Sequence, residues 1–124
     1  MAPKTILVVD DDPGIVKLVE TMLQRDGYDV LVAYNGREAL RIHAANQPDL
    51  ILLDLAMPVM SGLEVLREIR QQDGDRCRTP IVFLTAHAPG YFSERDPDID
   101  DVEGYITKPV TLAKLRQEIM PLLD

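Results

Sequence analysis

Short apolar runs alternate along the chain with longer segments in which apolar residues recur at helical spacing. The runs are rich in β-branched residues or leucine and show no polar alternation, which is typical of parallel strands buried on both faces. This alternation predicts an α/β fold in which helices connect neighbouring parallel strands. The five predicted strands are Thr5 to Val9, Asp29 to Tyr34, Leu50 to Leu53, Ile81 to Thr85 and Gly104 to Thr107.

The first helix has clear start and stop signals. Asp12 and Pro13 fit its N-cap and first position, and Gly27 follows its last apolar residue. Apolar residues recur along it at the spacing of one helical face, which should turn toward the core. The residues predicted on this face are Ile15, Leu18, Val19, Met22 and Leu23.

Three further helices follow the same spacing rule. One begins after Asn35-Gly36, ends near Asn46 and is predicted to turn Ala39, Leu40 and Ala44 inward. The third carries Gly62, Val65, Leu66 and Ile69 on one face, and the last carries Leu112, Leu115, Ile119 and Leu122. Between the fourth and fifth strands, residues 88–103 contain Pro89, Gly90 and Pro97 and no sustained apolar period, so any helix there should be short or irregular.

Length and composition fit one domain, residues 1–124, because 124 residues with 46% hydrophobic content supply a single core. The net charge of -8 and the lack of a basic cluster argue against direct binding of nucleic acid. The N-terminus resembles neither a signal peptide nor a membrane span. The lone cysteine, Cys77, leaves no internal disulfide and fits a reducing compartment. We therefore expect a soluble, cytoplasmic protein.

Polar residues stand at the carboxyl ends of four predicted strands, where open parallel sheets bind their ligands. The first strand ends in Asp10 and Asp11, the third in Asp54, the fourth in Thr85 and the fifth in Thr107 and Lys108. We expect these side chains to meet at one place. Asp12, the next residue after the acidic pair, needs no role beyond capping the first helix.

Three carboxylates brought together repel one another, and a bound divalent cation relieves that repulsion. Mg²⁺ prefers oxygen ligands and keeps coordination positions open for phosphate oxygens. Asp54 could then attack phosphorus as a carboxylate nucleophile and form an aspartyl phosphate. Lys108 could pair with the phosphoryl oxygens, and the Thr85 hydroxyl could donate a hydrogen bond to one of them.

Four segments, in the order "ILVVDDDP", "LLDLAMPVMSG", "VFLTA" and "YITKP", resemble the receiver domain of bacterial response regulators, and the resemblance covers essentially the whole chain. It implies a flavodoxin-like, doubly wound five-stranded parallel sheet of order 2-1-3-4-5, in a stand-alone, chemotaxis-regulator-like protein. It further implies that Asp54 is the phosphoacceptor, and that Asp10, Asp11, Asp54 and the backbone carbonyl of Ala56 hold Mg²⁺. The Lys108-Pro109 peptide bond matches one that is often cis in this family.

The resemblance also implies partners and a switch. A sensor histidine kinase, a histidine phosphotransfer protein or a small phosphodonor would phosphorylate Asp54. Thr85 and Tyr105 match the family's switch positions, and their movement would remodel the face formed by the fourth helix, fifth strand and fifth helix, which an unknown target protein would read. The chain would be a monomer or a phosphorylation-dependent dimer, would act as no enzyme, and would bind neither membrane nor nucleic acid directly.

Two features depart from the family pattern. Ala56 and His87 occupy positions that flank the attacking water during dephosphorylation; Ala56 cannot hold a water, whereas His87 could hydrogen-bond one or be an ordinary exposed histidine. The acidic, proline-broken segment 88–103 stands where the family usually has a regular helix. The family's output face is therefore the part of the resemblance that applies least well to this chain.

Three alternatives stay open. The chain could be the receiver fragment of a longer regulator, or an interaction module that works without phosphorylation. A remote third reading is a phosphatase similar to the haloacid dehalogenases, in which Asp10 is the nucleophile and Asp12 the acid/base. That motif normally has Thr or Val where this chain has Gly14, and the reading leaves Asp54 without a role.

Overall fold

A computed structural model describes residues 3–74, 78–86 and 102–123. The predictions made for Cys77, His87 and residues 88–101 lie outside these ranges. The described elements, in chain order, are β1 (Thr5–Val9), α1 (Pro13–Arg25), β2 (Asp29–Ala33), α2 (Gly36–Asn46), β3 (Leu50–Asp54), α3 (Gly62–Asp73), β4 (Ile81–Thr85), β5 (Gly104–Thr107) and α4 (Leu112–Leu123).

The five strands form one parallel sheet of order β2-β1-β3-β4-β5, as the sequence predicts. Two strand ends differ slightly from the prediction: β2 ends at Ala33, one residue before Tyr34, and β3 continues to Asp54. The extra residue of β3 has a consequence for the site, because Asp54 pairs in register with Leu84 and is held by the sheet itself.

Side chains of each strand alternate between two separate cores, one on each face of the sheet. Leu7 and Val9 point toward α2 and α3, whereas Ile6 and Val8 point toward α1 and α4. Both cores are made almost entirely of aliphatic side chains with no exposed surface. The continuous apolar runs of the sequence are therefore explained by burial on both faces.

The inward face of α3 is confirmed, and so are Leu115, Ile119 and Leu122 of α4, whereas Leu112 is only half-buried. Two residues predicted in the core of the other helices are exposed. Leu18 of α1 is 45% exposed, because α1 buries the stripe formed by Val16, Val19 and Leu23. Ala44 of α2 is exposed as well. His43 takes the buried position instead, since it continues the stripe that Gly36 and Ala39 begin.

His43 stays inside the protein because its ring nitrogens have polar partners. Its Nε2 lies 3.2 Å from Asp73 Oδ1 and 3.1 Å from Thr79 Oγ1, and its Nδ1 lies 2.5 Å from Gln72 Oε1. Asp73 in turn accepts hydrogen bonds from the backbone N–H and the hydroxyl of Thr79. This polar cluster joins α2, α3 and the residues just before β4 at the amino end of the sheet.

Across the described ranges, no helix is both long enough and apolar enough to cross a bilayer.

Candidate functional site

The carboxyl ends of β1, β3, β4 and β5 surround a cleft of about 370 Å³. Asp10, Asp11, Asp54, Thr85 and Lys108 line it as expected from the strand ends, together with Ala56, whereas Thr107 lies outside the lining. The lining also includes the apolar residues Ile15, Leu55 and Ala86, which the sequence did not mark as site residues because they carry no polar side chain. The full set is Asp10, Asp11, Asp12, Ile15, Asp54, Leu55, Ala56, Thr85, Ala86 and Lys108.

Three carboxylates meet in this cleft. Asp10, Asp11 and Asp54 each present one oxygen, and these oxygens all lie within 4.8 Å of one another. Asp10 is fully buried and Asp54 is 3% exposed, while Asp11 faces solvent. Three negative charges are thus concentrated where two of them have little water to screen them.

Backbone hydrogen bonds position the two buried carboxylates. The N–H of Asp10 donates to the Ala33 carbonyl at 3.2 Å, which continues the β1–β2 pairing by one residue. Asp10 Oδ1 accepts from the N–H of Asp12 at 3.0 Å. Asp54 Oδ1 accepts from the N–H of Ala56 at 3.2 Å. Each carboxylate therefore has one oxygen tied to the following turn.

Asp12 has the separate role that the sequence predicts. It is exposed, and its Oδ1 accepts a hydrogen bond of 2.9 Å from the N–H of Gly14 at the start of α1. A capping side chain of this kind satisfies a backbone donor that the helix itself leaves open.

Lys108 is the cation of the cleft. Its Nζ lies 3.1 Å from Asp10 Oδ2 and 3.5 Å from Asp54 Oδ1. Its backbone N–H donates to the Thr85 carbonyl at 2.8 Å, and the Lys108-Pro109 peptide bond is cis. Burial by itself would lower the pKa of Lys108, but the hydrogen bond to Asp10 and the charges of both carboxylates outweigh it and raise the pKa.

The surroundings of Asp54 disfavour its charged form. Burial is the largest cause and the negative charge of Asp10 the next, and together they raise the pKa of Asp54 to about 6. The positive charge of Lys108 and the hydrogen bond from the Ala56 N–H oppose this rise. A second cation in the cleft would favour the ionised carboxylate further.

The donor set fits a hard divalent cation. Asp10 Oδ2 is buried, and the Lys108 ammonium 3.1 Å away is its close partner among the described residues, so a second lone pair of this oxygen stays available in the cleft. Carboxylate oxygens are the ligands that Mg²⁺ prefers, and a few of them suffice to hold it. The single charge of Lys108 leaves the three carboxylates only partly neutralised.

Thr85 and Tyr105 lie at different distances from this cleft. Thr85 is buried at the end of β4, lines the cleft and pairs in register with Thr107. Tyr105 is half-buried on β5, outside the cleft lining, and its ring centroid is 6.1 Å from that of Phe83 at 41°. His87, which the sequence suggests could act in dephosphorylation, lies outside the described residues.

A larger cleft of about 530 Å³ opens at the opposite, amino end of the strands. It is lined by the polar cluster around His43 and Asp73, and it contains no residue predicted for the site. Size alone therefore does not mark the functional end of the sheet, whereas the meeting of four polar strand ends does.

Comparison with known proteins identifies the family of this chain. Residues 6–120 match the family model described as the response regulator receiver domain. The chain is 38% identical over 127 residues to the alkaline phosphatase synthesis transcriptional regulatory protein PhoP of Bacillus subtilis, a match that covers 97% of this chain and 48% of PhoP. The chain thus spans about half the length of the curated relatives it matches.

Solved structures of receiver proteins superpose closely on this fold. The chemotaxis protein CheY4 of Vibrio cholerae is 31% identical with a TM-score of 0.86, and the match covers 98% of this chain and 100% of CheY4. The response regulator TrrA of Thermotoga maritima, solved with Mg²⁺ and BeF, is 37% identical with a TM-score of 0.83, over 97% of this chain and 99% of TrrA. TrrA has also been solved in complex with the histidine kinase ThkA. This chain belongs to the response regulator receiver domain family and is a receiver domain of two-component signalling.

Proposed function

We propose that Asp54 is the phosphoacceptor of this receiver domain and that Asp10, Asp11 and Lys108 support its phosphorylation. One observation carries the proposal: the Lys108 ammonium lies within 3.5 Å of Asp54 and 3.1 Å of Asp10, in a cleft that also holds Asp11. Asp54 ends β3, which stands in the sheet between β1, followed by Asp10 and Asp11, and the β4–β5 pair, which is followed by Lys108. Asp54 is therefore the carboxylate best placed to accept a phosphoryl group whose charge the neighbouring residues and a bound cation stabilise.

The phosphoryl transfer that follows from this arrangement is a simple displacement. An ionised oxygen of Asp54 forms a bond to phosphorus while the bond from phosphorus to its previous carrier breaks. With a phosphohistidine donor the carrier is an imidazole nitrogen, which keeps the electron pair and takes up a proton. Lys108 contacts the phosphoryl oxygens as a point charge, and the Thr85 hydroxyl donates a hydrogen bond to one of them.

Mg²⁺, when bound, supplies positive charge that neutralises both the carboxylates and the transferring phosphoryl group. The residues that would hold it are Asp10, Asp11, Asp54 and the backbone carbonyl of Ala56. The buried Oδ2 of Asp10 supports this assignment, because the Lys108 ammonium uses only one of its lone pairs. The related TrrA has been solved with this ion, and so has a receiver domain from Pseudomonas aeruginosa that is 35% identical to this chain.

A sensor histidine kinase or a histidine phosphotransfer protein is the proposed donor, and the complex of TrrA with ThkA supports it. We place this exchange in the cytoplasm and treat the whole chain, 1–124, as one receiver domain that performs no turnover chemistry on an outside substrate. Thr85 would move toward the phosphoryl group and Tyr105 would follow, which changes the surface offered to a target protein. Such a switch works only through the difference in contacts between the two states.

Phosphorylation by acetyl phosphate tests the proposal directly. The protein is incubated with radiolabelled acetyl phosphate and Mg²⁺, and incorporation is measured for the unmodified chain, for Asp54→Asn and for Asp12→Asn. We expect incorporation that requires Mg²⁺, disappears in Asp54→Asn and persists in Asp12→Asn, which keeps a capping side chain. Label that survives Asp54→Asn but disappears in Asp10→Asn would instead support a phosphatase-like use of Asp10.

The length of the relatives favours a second reading. The chain covers 48% of PhoP and 46% of the transcriptional regulatory protein TrcR of Mycobacterium tuberculosis. Under this reading the same phosphorylation would regulate an effector region of a longer protein. Sequencing of the full open reading frame distinguishes a regulator with such a region from one without it.

A further inference from the structure

Lys114, in the first turn of α4, makes an unusually complete set of contacts for a lysine at a protein surface. Its Nζ donates to the Thr107 carbonyl at 3.0 Å, to the Thr107 hydroxyl at 3.3 Å and to the Pro109 carbonyl at 3.1 Å. An ammonium group has three N–H donors, and here each has an acceptor. The side chain is therefore held in one orientation.

The acceptors of Lys114 stand on either side of Lys108. The carbonyls of Thr107 and Pro109 belong to the residues immediately before and after it, so one ammonium group bridges the short segment from which Lys108 extends. The opposite side of this segment is tied to β4 by the hydrogen bond from the Lys108 N–H to the Thr85 carbonyl. The hydrogen bonds from Lys114 and the hydrogen bond to Thr85 together fix the backbone from which the Lys108 side chain extends toward Asp10 and Asp54.

The place of Lys114 on its helix also requires an explanation. The N-terminal turn of a helix carries a partial positive charge, which disfavours a cation there. The N–H of Lys114 is already satisfied by the hydroxyl of Thr111, which acts as a capping side chain. The helix itself therefore gains nothing from a lysine at this position, whereas the 107–109 segment gains three hydrogen bonds.

We propose that Lys114 is a positioning residue that clamps the segment Thr107 to Pro109 and thereby fixes the Lys108 ammonium between Asp10 and Asp54. This inference rests on the proposed role of Lys108 in phosphorylation. It also links α4 directly to the phosphoacceptor cleft, so a partner that displaces Lys114 would alter the reactivity of Asp54 without touching it.

The rate of phosphorylation by acetyl phosphate at saturating Mg²⁺ tests the clamp. Lys114→Met keeps the aliphatic stem and removes the donors, and we expect the rate constant to fall about tenfold because Lys108 is less well oriented. Lys17→Met, at an exposed lysine of α1, makes the same change in net charge and should stay within about twofold of the unmodified protein. Urea unfolding of each variant establishes that the rates are compared on folded protein.

A double-variant comparison separates positioning from a merely structural role. If Lys114 acts through Lys108, adding Lys114→Met to Lys108→Met should change the residual rate by less than about twofold. The same comparison is made with the affinity for trifluoroberyllate in the presence of Mg²⁺, measured by NMR titration, which does not depend on a slow residual rate. If Lys114→Met still lowers the phosphorylation rate or the trifluoroberyllate affinity about tenfold when Lys108 is already Met, the proposal is overturned.

The outcomes also distinguish this inference from the proposed function. If the unmodified chain takes up no label at all, the phosphoacceptor assignment of Asp54 is wrong. If the unmodified chain is labelled through Asp54 and Lys114→Met is labelled at the same rate, only the clamp is wrong.

Discussion

The Lys108 ammonium lies 3.1 Å from Oδ2 of Asp10, a carboxylate that is fully withdrawn from solvent. The two residues are brought together because β1 and β5 both direct their carboxyl ends to the same edge of the sheet. Burial of a carboxylate costs free energy unless a partner compensates it. Lys108 is that partner in the metal-free protein, and it stands where an incoming cation or phosphoryl group would be bound.

Replacement of Lys108 should therefore change the response of the protein to Mg²⁺. We expect Lys108→Met to lower the free energy of unfolding by about 1 to 3 kcal/mol without metal, because Asp10 and Asp54 lose their only close ammonium partner in the described cleft. Saturating Mg²⁺ should then stabilise the variant more than it stabilises the unmodified protein. Urea unfolding with EDTA or with Mg²⁺ measures both effects, and Lys17→Met is the matched control. An equal Mg²⁺ effect in all three proteins would contradict the competition between Lys108 and the ion.

The raised pKa of Asp54 predicts a specific dependence of stability on pH. Burial, and then the charge of Asp10, raise this pKa from 3.8 in the unfolded reference to about 6. Between these two values the folded state holds a proton that the unfolded state has lost, so the contribution of Asp54 to stability falls as pH rises and is lost above the folded pKa. Asp54→Asn removes this contribution.

We expect metal-free Asp54→Asn to resemble the unmodified protein near about pH 4 and to exceed its stability by about 1 to 2 kcal/mol near about pH 7.5. The difference is smaller than the full pKa shift would give, since the cleft opens to water that screens the charges. Urea unfolding in EDTA across this range provides the measurement. Mg²⁺ should reduce the difference in stability between the two proteins, because it stabilises the ionised carboxylate of Asp54. If the free energies of unfolding of the two proteins changed in parallel at all pH values, the raised pKa of Asp54 would be disproved.

Gly62 is the first residue of α3 and lies close to the backbone at the end of β3, the strand that carries Asp54. A Cβ atom at this position would lie 2.4 Å from the Asp54 carbonyl oxygen and 2.7 Å from Leu55 Cα, and neither backbone atom can move aside cheaply. Gly62→Ala should therefore lower the free energy of unfolding by about 2 kcal/mol or more and slow phosphorylation of Asp54.

Gly36→Ala is the matched control for this substitution. Gly36 is the first residue of α2, as Gly62 is of α3, but its Cβ would meet the side chains of Met60 and Val65 instead of backbone. We expect a smaller loss of stability and an unchanged phosphorylation rate, measured by urea unfolding and acetyl phosphate labelling. A Gly62→Ala protein as stable and as reactive as Gly36→Ala would show that α3 can shift away from Asp54.

The buried cluster around His43 should matter for stability and not for phosphorylation. Loss of the ring in His43→Ala leaves a cavity and removes the contacts to Asp73, Thr79 and Gln72, so the free energy of unfolding should fall by about 2 to 4 kcal/mol. Because the cluster lies at the amino end of the sheet, the labelling rate of the folded variant should stay within about twofold of the unmodified protein. Thr79→Val, which removes only the hydroxyl, should have a smaller effect. A labelling rate that falls in proportion to stability would reveal coupling between the two ends of the sheet.

Much of the architecture could be predicted from the chain alone. Buried parallel strands need continuous apolar runs, so all five strands were predictable to within one residue, and the Pro13 and Gly27 signals bound α1 correctly. The faces of α1 and α2 were less predictable, because Leu18 and Ala44 share the helical period of the core residues around them. Only the packing of each helix against the sheet selects which stripe is buried. The burial of His43 depended on partners in α3 and before β4, distant in sequence, and no local pattern indicated them.

The candidate site likewise has features that the sequence predicts and features that depend on the tertiary structure. The sequence by itself determined that Asp10, Asp11, Asp54, Thr85 and Lys108 meet, because parallel strands place their carboxyl ends at one edge of the sheet. Only the tertiary structure decided which carboxylates are buried, how close the Lys108 ammonium lies to each, and that Lys114 bridges the segment around it. Those quantities depend on side-chain packing over distances of a few ångströms, and the order of residues along a chain does not encode such distances locally.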